Sequence, residues 1–108
     1  MNLRISESQL RFRITQEELT GLMGGEPLQS CIDLGTQQFS YRVVMDESDA
    51  PLAFNIQQGI WSLRVGKKAI SEFAAGIPSR EGIEYDVQLG ASPITLVLEV
   101  DVRRSKKS

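Results

Sequence analysis

Apolar and polar residues alternate along two stretches of the chain. Leu10, Phe12 and Ile14 are separated by Arg11 and Arg13, and Ile94, Leu96, Leu98, Val100 and Val102 are spaced two apart near the other end. A period of two sends successive side chains to opposite faces of a sheet, so each run predicts a strand with one buried and one wetted face. Leu3 to Ile5 and Leu10 to Ile14 read as two short strands, or one interrupted strand, around Ser6-Glu7-Ser8. Phe39, Tyr41, Val43 and Met45 share a phase opposite Ser40 and Arg42, and with Leu28 to Leu34 they predict a hairpin across Gly35-Thr36-Gln37. A second hairpin follows: Leu52, Phe54 and Ile56, then Gln57-Gln58-Gly59, then Trp61, Leu63 and Val65. Ile83, Tyr85, Val87 and Leu89 precede a Gly90-Ala91-Ser92-Pro93 loop and the closing strand.

The period changes twice. Thr15-Gln16-Glu17-Glu18 has the spacing of a capping box, in which the threonine hydroxyl accepts an early helix N–H and the glutamate reaches back. A short helix carrying Leu19, Leu22 and Met23 follows, stopped by Gly24-Gly25 and broken by Pro27. Ala69, Ile70, Phe73 and Ala74 repeat at helical spacing until Gly76 and Pro78, predicting a second helix of about three turns. The pattern therefore predicts an α+β domain, with two short helices on a curved antiparallel sheet or a partly open barrel of roughly six to eight strands. No internal repeat or linker is evident, so residues 1–103 read as one domain and 104–108 as a basic tail. The expected core is Leu10, Phe12, Ile14, Phe39, Tyr41, Val43, Phe54, Ile56, Trp61, Leu63, Ile70, Phe73, Tyr85, Val87, Leu96, Leu98 and Val100.

At 108 residues the chain is long enough to bury a core without staples. Its 12 basic and 14 acidic side chains give a net charge of −2, which supplies no overall field for a phosphate backbone. The charges are uneven, however. Residues 1–15 hold Arg4, Arg11 and Arg13 against Glu7, whereas residues 16–60 hold seven carboxylates against Arg42. There is no histidine and a single cysteine, Cys31. Imidazole-based proton transfer, Ser-His and Cys-His nucleophile pairs and histidine-bound metals are thereby excluded. Cys31 reads as a small core or edge residue, and no apolar run has the length of a signal peptide or a membrane span, so the expectation is a cytoplasmic location.

Three further constellations carry candidate chemistry. Asp46, Glu47 and Asp49 lack the glycine and terminal glutamate of a calcium loop, and a solvated turn before Pro51 accounts for them. Lys67 and Lys68 follow Gly66 at a helix start, where N–H groups can hold a phosphate, but Trp61 stands where a nucleotide loop needs its first glycine. Arg4, Arg11, Arg13 and Arg42 can line a sheet face, with Tyr41 or Trp61 as a stacking surface for RNA; against this, the aromatics lie on the apolar phase. Val44, Ile60 and Val97 interrupt polar phases, which leaves open either a strip that docks a partner or second copy, or a strand covered on both sides.

Leu3-Arg4-Ile5 followed by Leu10-Arg11-Phe12-Arg13-Ile14-Thr15-Gln16-Glu17-Glu18-Leu19 resembles the opening of a family of small bacterial proteins known only as a domain of unknown function. The resemblance continues through Phe39-Ser40-Tyr41-Arg42-Val43. It implies a short α+β bacterial protein and brings no activity or site. The residues themselves point to a non-enzymatic binding module acting through protein contacts or self-association, with no catalytic, cofactor or metal residues and no membrane partner. The alternative is RNA or anion binding across the arginine face, with Arg4, Arg11, Arg13, Arg42, Lys67 and Lys68 as the contacts.

Overall fold

The computed structural model describes residues 1–76 and 82–101. Pro78, Val102 and the basic tail lie outside them. Eight strands and two helices follow in the order β1 (Asn2–Ile5), β2 (Gln9–Thr15), α1 (Gln16–Met23), β3 (Leu28–Asp33), β4 (Gln38–Asp46), β5 (Leu52–Gln57), β6 (Ile60–Gly66), α2 (Lys67–Ala75), β7 (Ile83–Gln88) and β8 (Pro93–Asp101). They build two four-stranded sheets, ordered β1-β2-β8-β7 and β3-β4-β6-β5.

Local chemistry makes each element. Thr15 Oγ1 accepts the Glu18 N–H at 3.0 Å and Glu18 Oε1 accepts the Thr15 N–H at 2.9 Å, completing the capping box of α1. The left-handed residue beyond α1 is Gly25, at φ +95°. Between β5 and β6, Gln58 and Gly59 both take positive φ, the pairing a two-residue hairpin turn needs to match strand twist.

Two expectations are corrected. The four hairpins are antiparallel, but the central pairs β2·β8 and β4·β6 are parallel, so both sheets are mixed. Hairpin turns fix pairing within a hairpin only, and the inner strands of different hairpins all run toward the helices. Nor does a barrel close: the sheets stack as separate layers over one core. That core takes Phe12, Ile14, Leu96 and Leu98 from one sheet, Val43, Leu52, Leu63 and Val65 from the other, and Leu19, Leu22 and Ile70 from the helices.

The third correction is that the chain does contain a repeat. Shifting β1-β2-α1 by 51 residues gives β5-β6-α2, and the pairing of Leu3 with Phe12 becomes that of Phe54 with Leu63. Shifting β3-β4 by 55 gives β7-β8, and Leu28 opposite Val43 becomes Ile83 opposite Leu98. The parallel pair Gln9 beside Thr95 maps in the same way onto Ile60 beside Ser40. The fold is thus two hairpin–helix–hairpin halves, each giving one hairpin to each sheet, related by an internal two-fold. Within the equivalent strands, helices and hairpin turns, only Ile5/Ile56, Arg13/Arg64, Leu34/Leu89, Gly35/Gly90 and Asp46/Asp101 keep the same residue, so no repeat shows at the level of letters.

Candidate functional site

The arginine face is built by the β1-β2 hairpin. Alternation sends Leu10, Phe12 and Ile14 inward, and Arg11 and Arg13 therefore point to the outer face, where the register sets Arg4 opposite Arg11 and Asn2 opposite Arg13. The parallel pairing with β8 then brings Glu99 beside Arg13 and Asp101 beside Thr15. Asn2, Arg4, Arg11, Arg13 and Glu99 line a cleft of about 90 Å³.

Its arginines differ in how they are held. Arg11 pairs with Glu99 through Nη1 and donates from Nε and Nη2 to Gln9 Oε1 at 3.4 and 3.3 Å. Arg13 lies 3.6 Å from both Glu99 and Asp101, and its Nε is buried without a hydrogen-bond acceptor. Arg4 is exposed and makes no ion pair among the described residues. Three cations meet two carboxylates, leaving one positive charge in excess. Val97, in register with Arg11, is buried at 1 % exposure on this outer face, so it forms no part of an open apolar strip.

The remaining predicted contacts lie elsewhere. Arg42 sits on β4 in the other sheet and donates from Nε to Ser62 Oγ at 2.9 Å. Lys67 and Lys68 are exposed at the start of α2, whose N-cap Gly66 offers no side-chain cap. The structure therefore joins Arg4, Arg11 and Arg13 and separates Arg42, Lys67 and Lys68 from them. Sequence reasoning missed Asn2, Gln9, Glu99 and Asp101. The alternating acids at 99 and 101 were visible, but only the β2·β8 pairing places them beside arginines.

Cys31 is exposed on edge strand β3, with Sγ 3.7 Å from Gln38 Oε1, which settles it as an edge residue. Asp46 Oδ1 accepts the Ser48 N–H at 3.0 Å, the local bond of a polar turn. No three His, Cys, Asp or Glu side chains converge on a metal-sized site among the described residues, and no helix there is long and apolar enough to cross a membrane.

A second surface lies at the opposite end from the helices. Strands β2, β4, β6 and β8 run toward the helices and β1, β3, β5 and β7 away from them, so among the described residues no helix covers the far ends of the strands. Ile5, Ile32, Ile56 and Tyr85 occupy inward-phase positions near those ends, and Leu34 and Leu89 stand in the hairpin turns beyond them. All six are between 40 and 64 % exposed, against the expectation that Ile56 and Tyr85 are core. Beneath them Phe12, Phe39, Tyr41, Phe54 and Trp61 form a connected set of ring contacts with centroids 5.2–6.4 Å apart. The four turns at this end, residues 6–8, 34–37, 58–59 and 89–92, contain one charged residue, Glu7.

Residues 1–105 match the model of DUF7009, a family of unknown function. No curated protein matches the chain.

Proposed function

The chain belongs to DUF7009, a family that brings no activity with it, and from its surfaces we propose a non-enzymatic binding module that acts through protein contacts at its uncapped end, with a second copy of the chain as the occupant. The observation that carries this reading is the position there of six of the seven large apolar side chains that are exposed among the described residues. Each is about half exposed, and their summed apolar area is on the order of the ~600 Å² at the upper range of apolar patches on monomers.

The internal repeat supports the reading independently. Core-facing residues differ between the halves, as in Leu10/Trp61 and Phe12/Leu63, and so do Ile32/Val87 and Ser30/Tyr85, while Ile5/Ile56 and Leu34-Gly35/Leu89-Gly90 are the same. Exposed apolar residues gain nothing from the core, so their retention in both halves favours a contact made outside the fold. The turns at this end carry little charge, although Asp33 closes β3 beside one of them and accepts the Gly35 N–H, which favours a partner chosen by shape and apolar area over one steered by a large field. A closed dimer joins the same patch from two copies, and the internal two-fold already pairs Ile5 with Ile56 and Leu34 with Leu89 within this one.

RNA binding would need ring faces beside the arginines. Phe39, Tyr41, Phe54 and Trp61 instead share the inward phase of the other sheet. A cytoplasmic location accords with the exposed, unpaired Cys31 and forms part of this reading.

Sedimentation equilibrium from about 5 µM to about 1 mM tests the proposal, because a weak interface of this size populates a dimer within that range. The wild-type chain is expected to shift to dimer with concentration. The double variant Leu34→Lys/Leu89→Lys should remain monomeric with an unchanged melting curve, since both side chains are exposed. A wild-type chain that stays monomeric at the highest concentration, or a double variant that still dimerises, overturns it.

A further inference from the structure

We infer that the cleft on the outer face of the β1-β2 hairpin is a carboxylate-binding site, in which Arg4 and Arg11 hold the carboxylate from opposite strands and Asn2 and Arg13 complete the wall. The register argues for a missing anion. Arg4 and Arg11 are directly opposite each other on the same face, an arrangement that like charges disfavour unless something negative lies between them. Glu99 meets part of this need by pairing with Arg11, but it approaches from β8, on the far side of β2 from Arg4. Arg4 is left without an ion pair among the described residues, whereas the Nε of Arg13 lies 3.6 Å from Glu99 Oε2, within ion-pair range but without a hydrogen bond.

Charge and size select the class of ligand. Arg4, Arg11 and Arg13 against Glu99 and Asp101 leave a surplus of one positive charge, which one carboxylate neutralises. A phosphate carries up to two negative charges and would meet the Glu99 carboxylate in the cleft wall. The planar guanidinium fork suits a carboxylate through paired N–H donors. A volume of about 90 Å³ holds a carboxylate head and leaves its substituent outside. The site recurs only in part in the other half of the repeat, where Arg64 and Asp46 match Arg13 and Asp101. Asn55 stands in place of Arg4, Ser62 in place of Arg11 and Val44 in place of Glu99, so the facing arginines and their carboxylate are not a by-product of the duplicated framework. This inference concerns a different face from the uncapped end and does not depend on dimerisation.

Acetate titrated into the full chain at constant ionic strength, followed by the amide and arginine side-chain N–H resonances, tests the site. Acetate is expected to give saturable shifts centred on Arg4, Arg11 and Arg13, with a dissociation constant of about 1–10 mM. Arg4→Gln, at an exposed position, should keep its melting temperature and lose the response. Arg64→Gln, at the repeat-equivalent of Arg13, should keep it. Absence of saturation, equal shifts in the Arg4→Gln variant, or tighter binding of inorganic phosphate than of acetate each overturns the assignment. Replacing acetate by a tetraglutamate peptide identifies the source: binding about ten-fold tighter than acetate marks a protein side chain, and equal or weaker binding marks a free small acid.

Discussion

Phe12 is fully buried at the centre of its strand, with its ring 6.3 Å from that of Tyr41 and 6.4 Å from that of Phe54, so it joins the two sheets directly. Replacing it by alanine removes that bridge and leaves a cavity, and urea titration should show a loss of about 3–5 kcal/mol. Ile56 lies on the same inward phase of its own strand yet is 56 % exposed, and Ile56→Ala should cost less than about 1 kcal/mol in the same titration. The alternation assigned both residues to the inner face, correctly. It carried no information on depth, which depends on how far along the strand the helices reach. For the same reason Tyr85 and Ile56 were expected in the core, and the uncapped end went unseen.

At the scale of elements, the two helices begin at equivalent places with different chemistry. Thr15 caps α1 with its hydroxyl, and Thr15→Ala should cost about 1 kcal/mol, read as a lower melting temperature. The equivalent residue before α2 is Gly66. A Cβ there would lie 2.6 Å from the Ala50 carbonyl oxygen and 2.8 Å from that of Ser48, because the segment joining the halves crosses at this point. Gly66→Ala should therefore destabilise by about 1–3 kcal/mol through forced backbone movement, and alanine is also the poorer N-cap. The crossing segment exists once, since only the second half has a half before it. Capping box, hairpin turn and helix stop were legible in the sequence because each is closed within a few residues. The contact that makes residue 66 a glycine spans the turn between β4 and β5 and was not.

For the whole molecule, the decisive bonds join distant parts of the chain. β8 lies between β2 and β7, so residues 9–15 complete their sheet only when residues 95–101 arrive. A chain cut after Ser92 would lose a central strand and with it Leu96, Leu98 and Val100 of the core. Thermal unfolding followed by circular dichroism should show no cooperative transition in that truncated chain, against a single one in the full chain. The arginine cleft depends on the same pairing. Arg4, Arg11 and Arg13 were visible in the sequence as a basic cluster, but the carboxylates that restrain two of them come from β8, more than eighty residues away.

By itself the sequence determined the period of each segment, the places where the period changes and the chemistry of the turns and caps, because these follow from residues within one or two turns of each other. It also determined that the chain has no imidazole and one thiol, which bounds its chemistry at any fold. Tertiary structure alone decided that the inner strands run parallel, that the halves repeat, which inward-facing residues remain exposed and which carboxylates meet the arginines. The reason is that substitution preserves the apolar or polar phase of a strand while erasing its letters, and phase states which face a residue occupies without stating what lies across from it.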